Sequence, residues 1–237
     1  MKYWIFACAL AVGGGNAMAA TDCPPYTKRT PGGDYTSAED RTGLSVIEKF
    51  HFSRAVETLT QGMTGSLGAD IGYTLEHFPN HHRALASMAK LGLRLKSPQP
   101  VGARYTVSCY FERAIAFAPQ DVTARMVFGN YLLSTGQDAK ALEQLDAASR
   151  MAPDQATIQY NLGLMYVKKK EYEKASAHAQ KAYALGFPLP GLKNKLKAAG
   201  KWREPEPAPA VVEAKEAPKA AESEAPAAVP VEPPSGE

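Results

Sequence analysis

The sequence predicts an all-α fold: an α-solenoid of helix-turn-helix repeats, with an irregular N-terminal arm and a disordered C-terminal tail. Two observations lead to this class. Small residues recur at a fixed step of 34, because Gly129 is followed by Gly163 and Ala141 by Ala175. Prolines close successive units at nearly the same place in this period. A fixed step of this length is typical of paired helices, which bury their apolar faces by stacking on neighbouring pairs.

The first 19 residues predict a secretory signal peptide. Lys2 precedes a short apolar run over residues 3–12, and Ala-Met-Ala at residues 17–19 offers a small-x-small cleavage site. A helix needs roughly 20 apolar residues to span a bilayer, so this run is too short, and no later segment comes close. We therefore expect an exported protein, periplasmic or surface-associated, without a transmembrane segment.

Two cysteines remain after the expected cleavage, Cys23 and Cys109. In an oxidising compartment two such thiols tend to pair, and a disulfide would tie the extended N-terminal arm, residues 20–52, to the helical body. Two free thiols are the alternative, because nothing in the sequence shows that they meet in space. There is no Cys-x-x-Cys, so a thioredoxin-like redox role has no support.

The helical elements follow the arm in order. Residues 53–79 predict an irregular helical region that a proline closes. A degenerate helix pair with extra residues in its inter-helix loop comes next, and Asn80 is the expected N-cap of its first helix. Two regular pairs and a cap complete the array, which divides into a degenerate unit at 80–120, repeats at 121–154 and 155–188, and a capping helix at 189–203.

The small residues in each regular pair have a physical purpose. A glycine in the first helix lets the second helix approach closely, and Ala148 and Ala182 then make room for the next unit. The last pair still needs a polar outer face. In the capping helix, Leu192, Leu196 and Ala199 can face the last repeat while the lysines between them face water.

The regular pairs resemble the tetratricopeptide repeat (TPR). The resemblance is strong over residues 122–187. In the second pair it rests on residues 160–166, 172–175 and 181–185, and in the first on Gly129, Gly136, Ala141, Ala148 and Pro153. Residues 78–85, Phe-Pro-Asn-His-His-Arg-Ala-Leu, are similar to a stretch of exported bacterial TPR proteins of unassigned function. That likeness implies a bacterial, Gram-negative envelope.

The TPR resemblance implies a curved stack whose concave groove is lined by the first helix of each pair and holds a partner segment. The chain would then be a non-catalytic scaffold or adaptor for a protein partner in the envelope. With Met126 and Tyr160 exposed in the groove, an acidic peptide would suit its mixture of apolar groups, an amide and cations. The mapped groove residues are Lys90, Arg94, Met126, Asn130, Leu133, Tyr160, Leu164 and Lys168. The full basic-and-asparagine clamp of chaperone-binding TPR domains is not evident.

Charge separates the body from the tail. The whole chain has 27 basic and 24 acidic residues, and residues 204–237 contain eight glutamates, two lysines and eight prolines. The body between residues 20 and 203 therefore has a net charge of +8, and the tail one of −6. A segment of the tail's composition is expected to be disordered. It serves solubility, or it competes for a basic surface of the body.

Other functional classes have weaker support. Self-association into an envelope or surface assembly through repeat edges is one alternative. A metal-binding module at His77, His81 and His82 is another, since imidazoles are common ligands, although a break at Pro79 separates the first histidine from the others. Catalytic motifs, phosphate-binding loops and dinucleotide fingerprints are missing from the sequence, so we expect neither an enzyme nor a cofactor. Export and the lack of a recognised module argue against nucleic-acid binding.

Overall fold

A computed structural model of the protein describes residues 23–204, which belong, up to Arg203, to one structural unit. The signal peptide expected at residues 1–19 lies outside the described residues, as does the tail expected at 204–237 beyond Glu204. The described part is all-helical and contains no strand. Its helices are α1 (Leu44–His51), α2 (Arg54–Glu57), α3 (Leu67–His77), α4 (His82–Leu95), α5 (Val107–Phe117), α6 (Val122–Ser134), α7 (Asp138–Met151), α8 (Ala156–Lys168), α9 (Tyr172–Ala184) and α10 (Gly191–Ala198).

The extended arm is shorter than the sequence predicts. Residues 23–43 lack helix, but α1 occupies the last part of the segment that was expected to be extended. Ile47 is buried, and Lys49 and His51 lie in the last turn, where cations suit the negative end of the helix dipole. A helix of eight residues is too short to reveal its periodicity in the sequence.

The N-cap of α4 is His81, not Asn80 as the sequence predicts. The backbone N–H of Ala84 donates to Nδ1 of His81, at 3.1 Å. Asn80 precedes the cap and is fully buried, because its amide is used in contacts with other segments. Three other helices have the more usual hydroxyl or carboxylate caps, from Ser66, Thr106 and Asp121.

Helix pairs recur at the interval seen in the sequence. The first helices of the two regular pairs, α6 and α8, begin at Val122 and Ala156, and the second helices, α7 and α9, begin at Asp138 and Tyr172. Both steps equal 34 residues. Within each pair the two helices pack against each other. The architecture is therefore repeat-like at the level of helices as well as residues.

Glycines allow the close approach within these pairs. A Cβ on Gly129 of α6 would lie 2.7 Å from Cγ of Leu145 on α7, far inside van der Waals contact. The equivalent Gly163 of α8 meets Leu192 of α10, whose Cδ2 would lie 2.3 Å from such a Cβ. The leucine that packs on this glycine position therefore comes from α7 in the first pair and from α10 in the second.

The capping helix α10 covers the last pair. Leu192 and Leu196 are fully buried against α8 and α9. Ala199 was expected to face the repeat as well, but it is exposed, because α10 ends at Ala198 and the third inward position falls outside the helix.

One apolar core runs through the described residues, from Phe52 after α1 to Leu196 in α10. The rings of Phe111 on α5 and Phe128 on α6 stack with centroids 4.8 Å apart, so they join the N-terminal half of this core to the repeat pairs. None of the helices between residues 23 and 204 combines the length and apolar character that a bilayer crossing requires.

Candidate functional site

The predicted groove residues lie on three neighbouring helices. Helix α4 contacts α6, and α6 contacts α8, so the first helices of successive pairs are adjacent. The eight mapped positions therefore lie on neighbouring helices. The side chains differ in exposure and in their existing contacts, however, and these differences decide which of them can contact a ligand.

The central part of this surface is formed by α6 and α8. Met126, Leu133 and Leu164 are partly buried and pack against the edge of the core. Between the two helices, the amide Nδ2 of Asn161 donates to Oδ1 of Asn130 at 2.8 Å, so Asn130 keeps its own amide N–H groups available. Apolar edges beside an amide form a surface that can pack on a peptide and bond to its backbone.

Tyr160 does not belong to an accessible surface. It is 9% exposed, and its ring stacks on Phe187 with centroids 4.0 Å apart. Its hydroxyl lies 2.7 Å from where a Cβ of Gly191 would be. The prediction that Tyr160 is exposed is therefore wrong, because the connection from α9 to α10 folds over it.

The cations at the two ends of the predicted groove are exposed but differ in their contacts. Lys90 and Arg94 lie on the exposed side of α4, and Arg94 Nη1 donates to the carbonyl of Leu59 at 2.8 Å. Lys168 forms an ion pair with Asp138 at 2.6 Å. A ligand carboxylate would have to compete with that aspartate for Lys168, whereas Lys90 is the more open cation.

A cleft of about 420 Å³ lies at the C-terminal ends of α4 and α6, beside the predicted groove. Sequence reasoning missed it, because its floor depends on the path of the residue 96–106 loop, which periodicity does not fix. The lining residues are Gly92, Leu93, Lys96, Ser97, Pro98, Tyr131, Ser134, Thr135 and Gln137. It extends the candidate surface with apolar groups and one further cation.

The three clustered histidines do not converge on a common point. His77 donates from Nδ1 to the carbonyl of Pro31, His81 caps α4, and His82 Nε2 lies 2.8 Å and 2.9 Å from the two carboxylate oxygens of Asp121. Within residues 23–204 there is no group of three His, Cys, Asp or Glu side chains that could hold a metal ion. The hypothesis of a metal site therefore lacks the geometry it needs.

His81 and His82 belong instead to a polar junction. Asn80 is its centre: Nδ2 donates to Asp34 Oδ1 at 2.8 Å and to Asp121 Oδ2 at 2.9 Å, and Oδ1 accepts from the N–H of Tyr35. The polar junction joins the arm, α1, α2, α4 and the start of α6. We define the junction by its members, which are Asp34, Tyr35, Glu48, Glu57, Asn80, His81, His82, Arg83 and Asp121. The Phe-Pro-Asn-His-His-Arg stretch thus performs a structural role that its sequence did not reveal.

Two acids of the junction, Asp121 and Glu57, have pKa values that favour the ionised form. Burial opposes the charge of Asp121, but hydrogen bonds from His82, the N–H of Ala124 and Asn80 outweigh it, so its pKa lies below the usual value. The pKa of Glu57 is lowered chiefly by its hydrogen bonds from Arg83, at 2.7 Å and 2.9 Å.

His81 is buried as a neutral base. Since Nδ1 accepts the hydrogen bond from Ala84, the proton is on Nε2 and is donated to Glu48 Oε1 at 3.0 Å. Burial lowers the pKa of His81 to about 4, even though Glu48 acts to raise it. The rings of Tyr35 and Phe52 pack on the imidazole, with centroids 4.3 Å and 5.0 Å away.

The disulfide between Cys23 and Cys109 fixes the start of the arm to α5, with Cα atoms 5.4 Å apart. The arm is also bound to the end of α3: the Tyr26 hydroxyl and the N–H of Gly33 both donate to the carbonyl of His77, at 2.9 Å and 3.0 Å. The arm is therefore attached at several points, and the disulfide is only the first of them.

No protein-family model matches the chain, and no curated protein matches it significantly in sequence.

Proposed function

We propose that the protein is a non-catalytic TPR-type scaffold that holds a segment of a partner protein on the surface formed by α4, α6 and α8. The observation that carries this proposal is the recurrence of helix pairs at 34 residues, with the first helices adjacent to one another. Paired helices that stack into an α-solenoid would present an extended concave surface of the kind that such repeats use for binding.

The chemistry of the surface favours an acidic peptide as the ligand. Lys90, Arg94 and Lys96 place cations along and beyond α4, and Met126 and Leu164 offer apolar edges. The body as a whole has a net charge of +8, which attracts anionic partners over distances of about a Debye length. An exported adaptor in the bacterial envelope would use such a surface to position one component of a complex.

Photo-crosslinking in cells tests this proposal directly. A photoreactive residue at Asn130 or Leu164, on the proposed surface, should capture a discrete partner that mass spectrometry identifies. The same residue at Lys140 or Glu143, on the exposed side of α7, is the matched control and should capture far less. Equal labelling at both pairs of positions would rule out the surface as the binding site.

Substitution sharpens the test once a partner is known. Met126→Ala with Lys90→Gln should weaken its capture about tenfold or more, since an apolar contact and a charge-assisted contact are both lost. Circular dichroism checks that the variant stays folded. Unchanged capture by a folded variant would contradict the proposed site.

Self-association is the second candidate function. Val46 and Phe50 on α1 are each 53% exposed, and they lie one turn apart on the same side of the helix. Sedimentation across a concentration series distinguishes the two roles, because a monomer at all concentrations would exclude assembly as the main function.

A further inference from the structure

A basic pocket lies between the N-terminal arm and the start of α5, away from the α4–α6–α8 surface. It has a volume of about 350 Å³. Neither the repeat pairs nor the polar junction uses it. Three of its lining residues are arginines, and the complete lining is Pro24, Pro25, Thr27, Arg29, Arg104, Tyr105 and Arg113.

Arg113 is a buried cation in the lining of this pocket. It is 7% exposed, and its guanidinium carbon lies 4.4 Å from the ring centroid of Tyr105 and 5.9 Å from that of Tyr26. Among the described residues its single hydrogen bond goes from Nη1 to the carbonyl of Pro24, at 3.3 Å, and no carboxylate forms an ion pair with it. A guanidinium has five N–H donors, so most of its hydrogen-bonding capacity is unused by the protein.

The other two arginines converge on a single carboxylate at the edge of the pocket. Arg29 donates to Oε2 of Glu76, and Arg104 Nη1 lies 3.6 Å from the same oxygen. The guanidinium carbon of Arg104 also lies 5.4 Å from the Tyr105 ring centroid, so Arg104 and Arg113 are both positioned by that one ring. Three positive charges and one negative charge leave the pocket with a net charge of +2.

We propose that this pocket binds a compact dianion with carboxylate or phosphate oxygens. Arginine forks match the geometry of both groups and bind them with two parallel hydrogen bonds, and stacking on tyrosine orients the fork in advance. The net charge of +2 matches a dianion, and an isolated buried cation such as Arg113 gains most from one. The proposal does not depend on the scaffold function, because the two sites share no residue.

The arm makes the pocket conditional on the disulfide. Pro24 and Pro25 form one wall and follow directly after Cys23, which is bonded to Cys109 on α5. Reducing this bond removes the covalent attachment of the wall. The site should therefore be complete in the oxidised protein and weaker after reduction.

Isothermal titration of the oxidised full-length protein tests the site with two probes, inorganic phosphate and succinate, against chloride at matched ionic strength. Saturable one-to-one binding of a probe, absent with chloride, is the expected result. A response to phosphate alone assigns the site to phosphate chemistry, and a response to succinate alone assigns it to dicarboxylates. No saturable binding of either probe, or an equal response to chloride, would overturn the proposal.

Variants of opposite effect separate binding from mere stabilisation. Arg104→Gln should weaken binding about tenfold, because one charge-assisted contact is lost. Glu76→Gln should strengthen it several-fold, since the competing carboxylate becomes neutral. Arg150→Gln, an exposed arginine on α7, changes the net charge equally and should leave the affinity unchanged. If Arg104→Gln binds like the native protein, or Arg150→Gln weakens binding to the same degree, the pocket is not the site.

Discussion

The polar junction and the two regular helix pairs hold their helices together in different ways. In the junction, Asn80 and His81 are fully buried and make directed hydrogen bonds to segments far away in the chain. In the pairs, alanines such as Ala141 and Ala175 are fully buried where two helices touch, and most of the buried side chains are apolar, with Gln159 as a polar exception. The strength of apolar contacts depends on the size and spacing of the side chains, whereas a hydrogen bond depends on the position of its donor and acceptor. The junction should therefore be sensitive to pH and to loss of the arm, and the pairs to volume.

Removing the disulfide should have the largest effect and should act on the junction side. Cys23→Ser with Cys109→Ser opens a covalent loop of 86 residues, so the free energy of unfolding should fall by roughly 3–5 kcal/mol. Urea unfolding of the native protein and the double variant measures the difference. Adding a reductant should reproduce the loss in the native protein and leave the variant unchanged. A loss below about 1 kcal/mol would mean that the other arm contacts suffice.

A cavity in the first regular pair should have the next largest effect. Leu145 is fully buried against Gly129, so Leu145→Ala should lower the free energy of unfolding by about 3 kcal/mol. Leu142 on the same helix is only partly buried, and Leu142→Ala is the matched control with a smaller expected loss. Equal losses in the two variants would show that the glycine–leucine contact does not dominate the pair.

The elements that the sequence predicts best are those whose contacts repeat. The starts of α6 to α9 follow the 34-residue step, because each pair is packed mostly by residues within it or next to it. The position of Leu192 and Leu196 in the cap follows from the same rule. The local spacing of residues is enough to predict the packing where the contacting helices are close together in the sequence.

The candidate site was less predictable, since its details depend on distant segments. Tyr160 is buried by Phe187, whose position is set by the turn before α10. Asn80 looks like an N-cap in isolation, but its amide is used by Asp34 and Asp121, and the cap passes to His81. A local sequence pattern cannot predict these contacts, because the contacting residues come from other segments of the chain.

Acid should weaken the junction through His81. The pKa of His81, about 4, lies below its ordinary value of about 6.5, mainly because burial disfavours the cation, with nearby Arg83 adding to this and Glu48 opposing it. Between these two pH values the unfolded chain binds more protons than the folded protein. The contribution of His81 to the free energy of unfolding is therefore fully present above about pH 6.5. It is lost, by roughly 2–3 kcal/mol, as the pH drops towards 4. Denaturant unfolding at a series of pH values measures this slope.

A substitution at His81 isolates its share of that slope. His81→Asn keeps a side-chain acceptor at the N-cap but cannot titrate, so the dependence between pH 6.5 and 4 should become flatter. His178 in α9 also has a pKa lowered by burial, so it adds to the slope in the same direction. Asp34 and Asp121 have pKa values below the ordinary value, so their contribution is lost only at still lower pH. An unchanged slope in His81→Asn would place the acid sensitivity outside the junction.

The smallest expected effect comes from substitutions in the turns that follow α6 and α8, which compare the two pairs with each other. Gly136 and Lys170 occupy the same place after α6 and α8 and have φ angles of 77° and 61°, in the left-handed region. The helix ends match as well: Gln137 N–H donates to Leu132 O, and Glu171 N–H to Tyr166 O, both at 2.9 Å. A side chain is strained in this conformation, whereas glycine is not. Lys170→Gly should therefore raise the free energy of unfolding by up to about 1 kcal/mol, and Gly136→Ala should lower it by about 1 kcal/mol.

Lys170→Ala separates conformation from charge in this comparison, because it removes the cation but keeps the Cβ. A Cβ at position 136 would meet no atom within 4 Å, so the loss in Gly136→Ala is conformational rather than steric. Thermal and urea unfolding of the three variants should rank Lys170→Gly above Lys170→Ala, with Gly136→Ala below the native protein. If Lys170→Gly is no more stable than Lys170→Ala, the two turns differ despite their shared backbone, and the equivalence of the pairs ends at their helices.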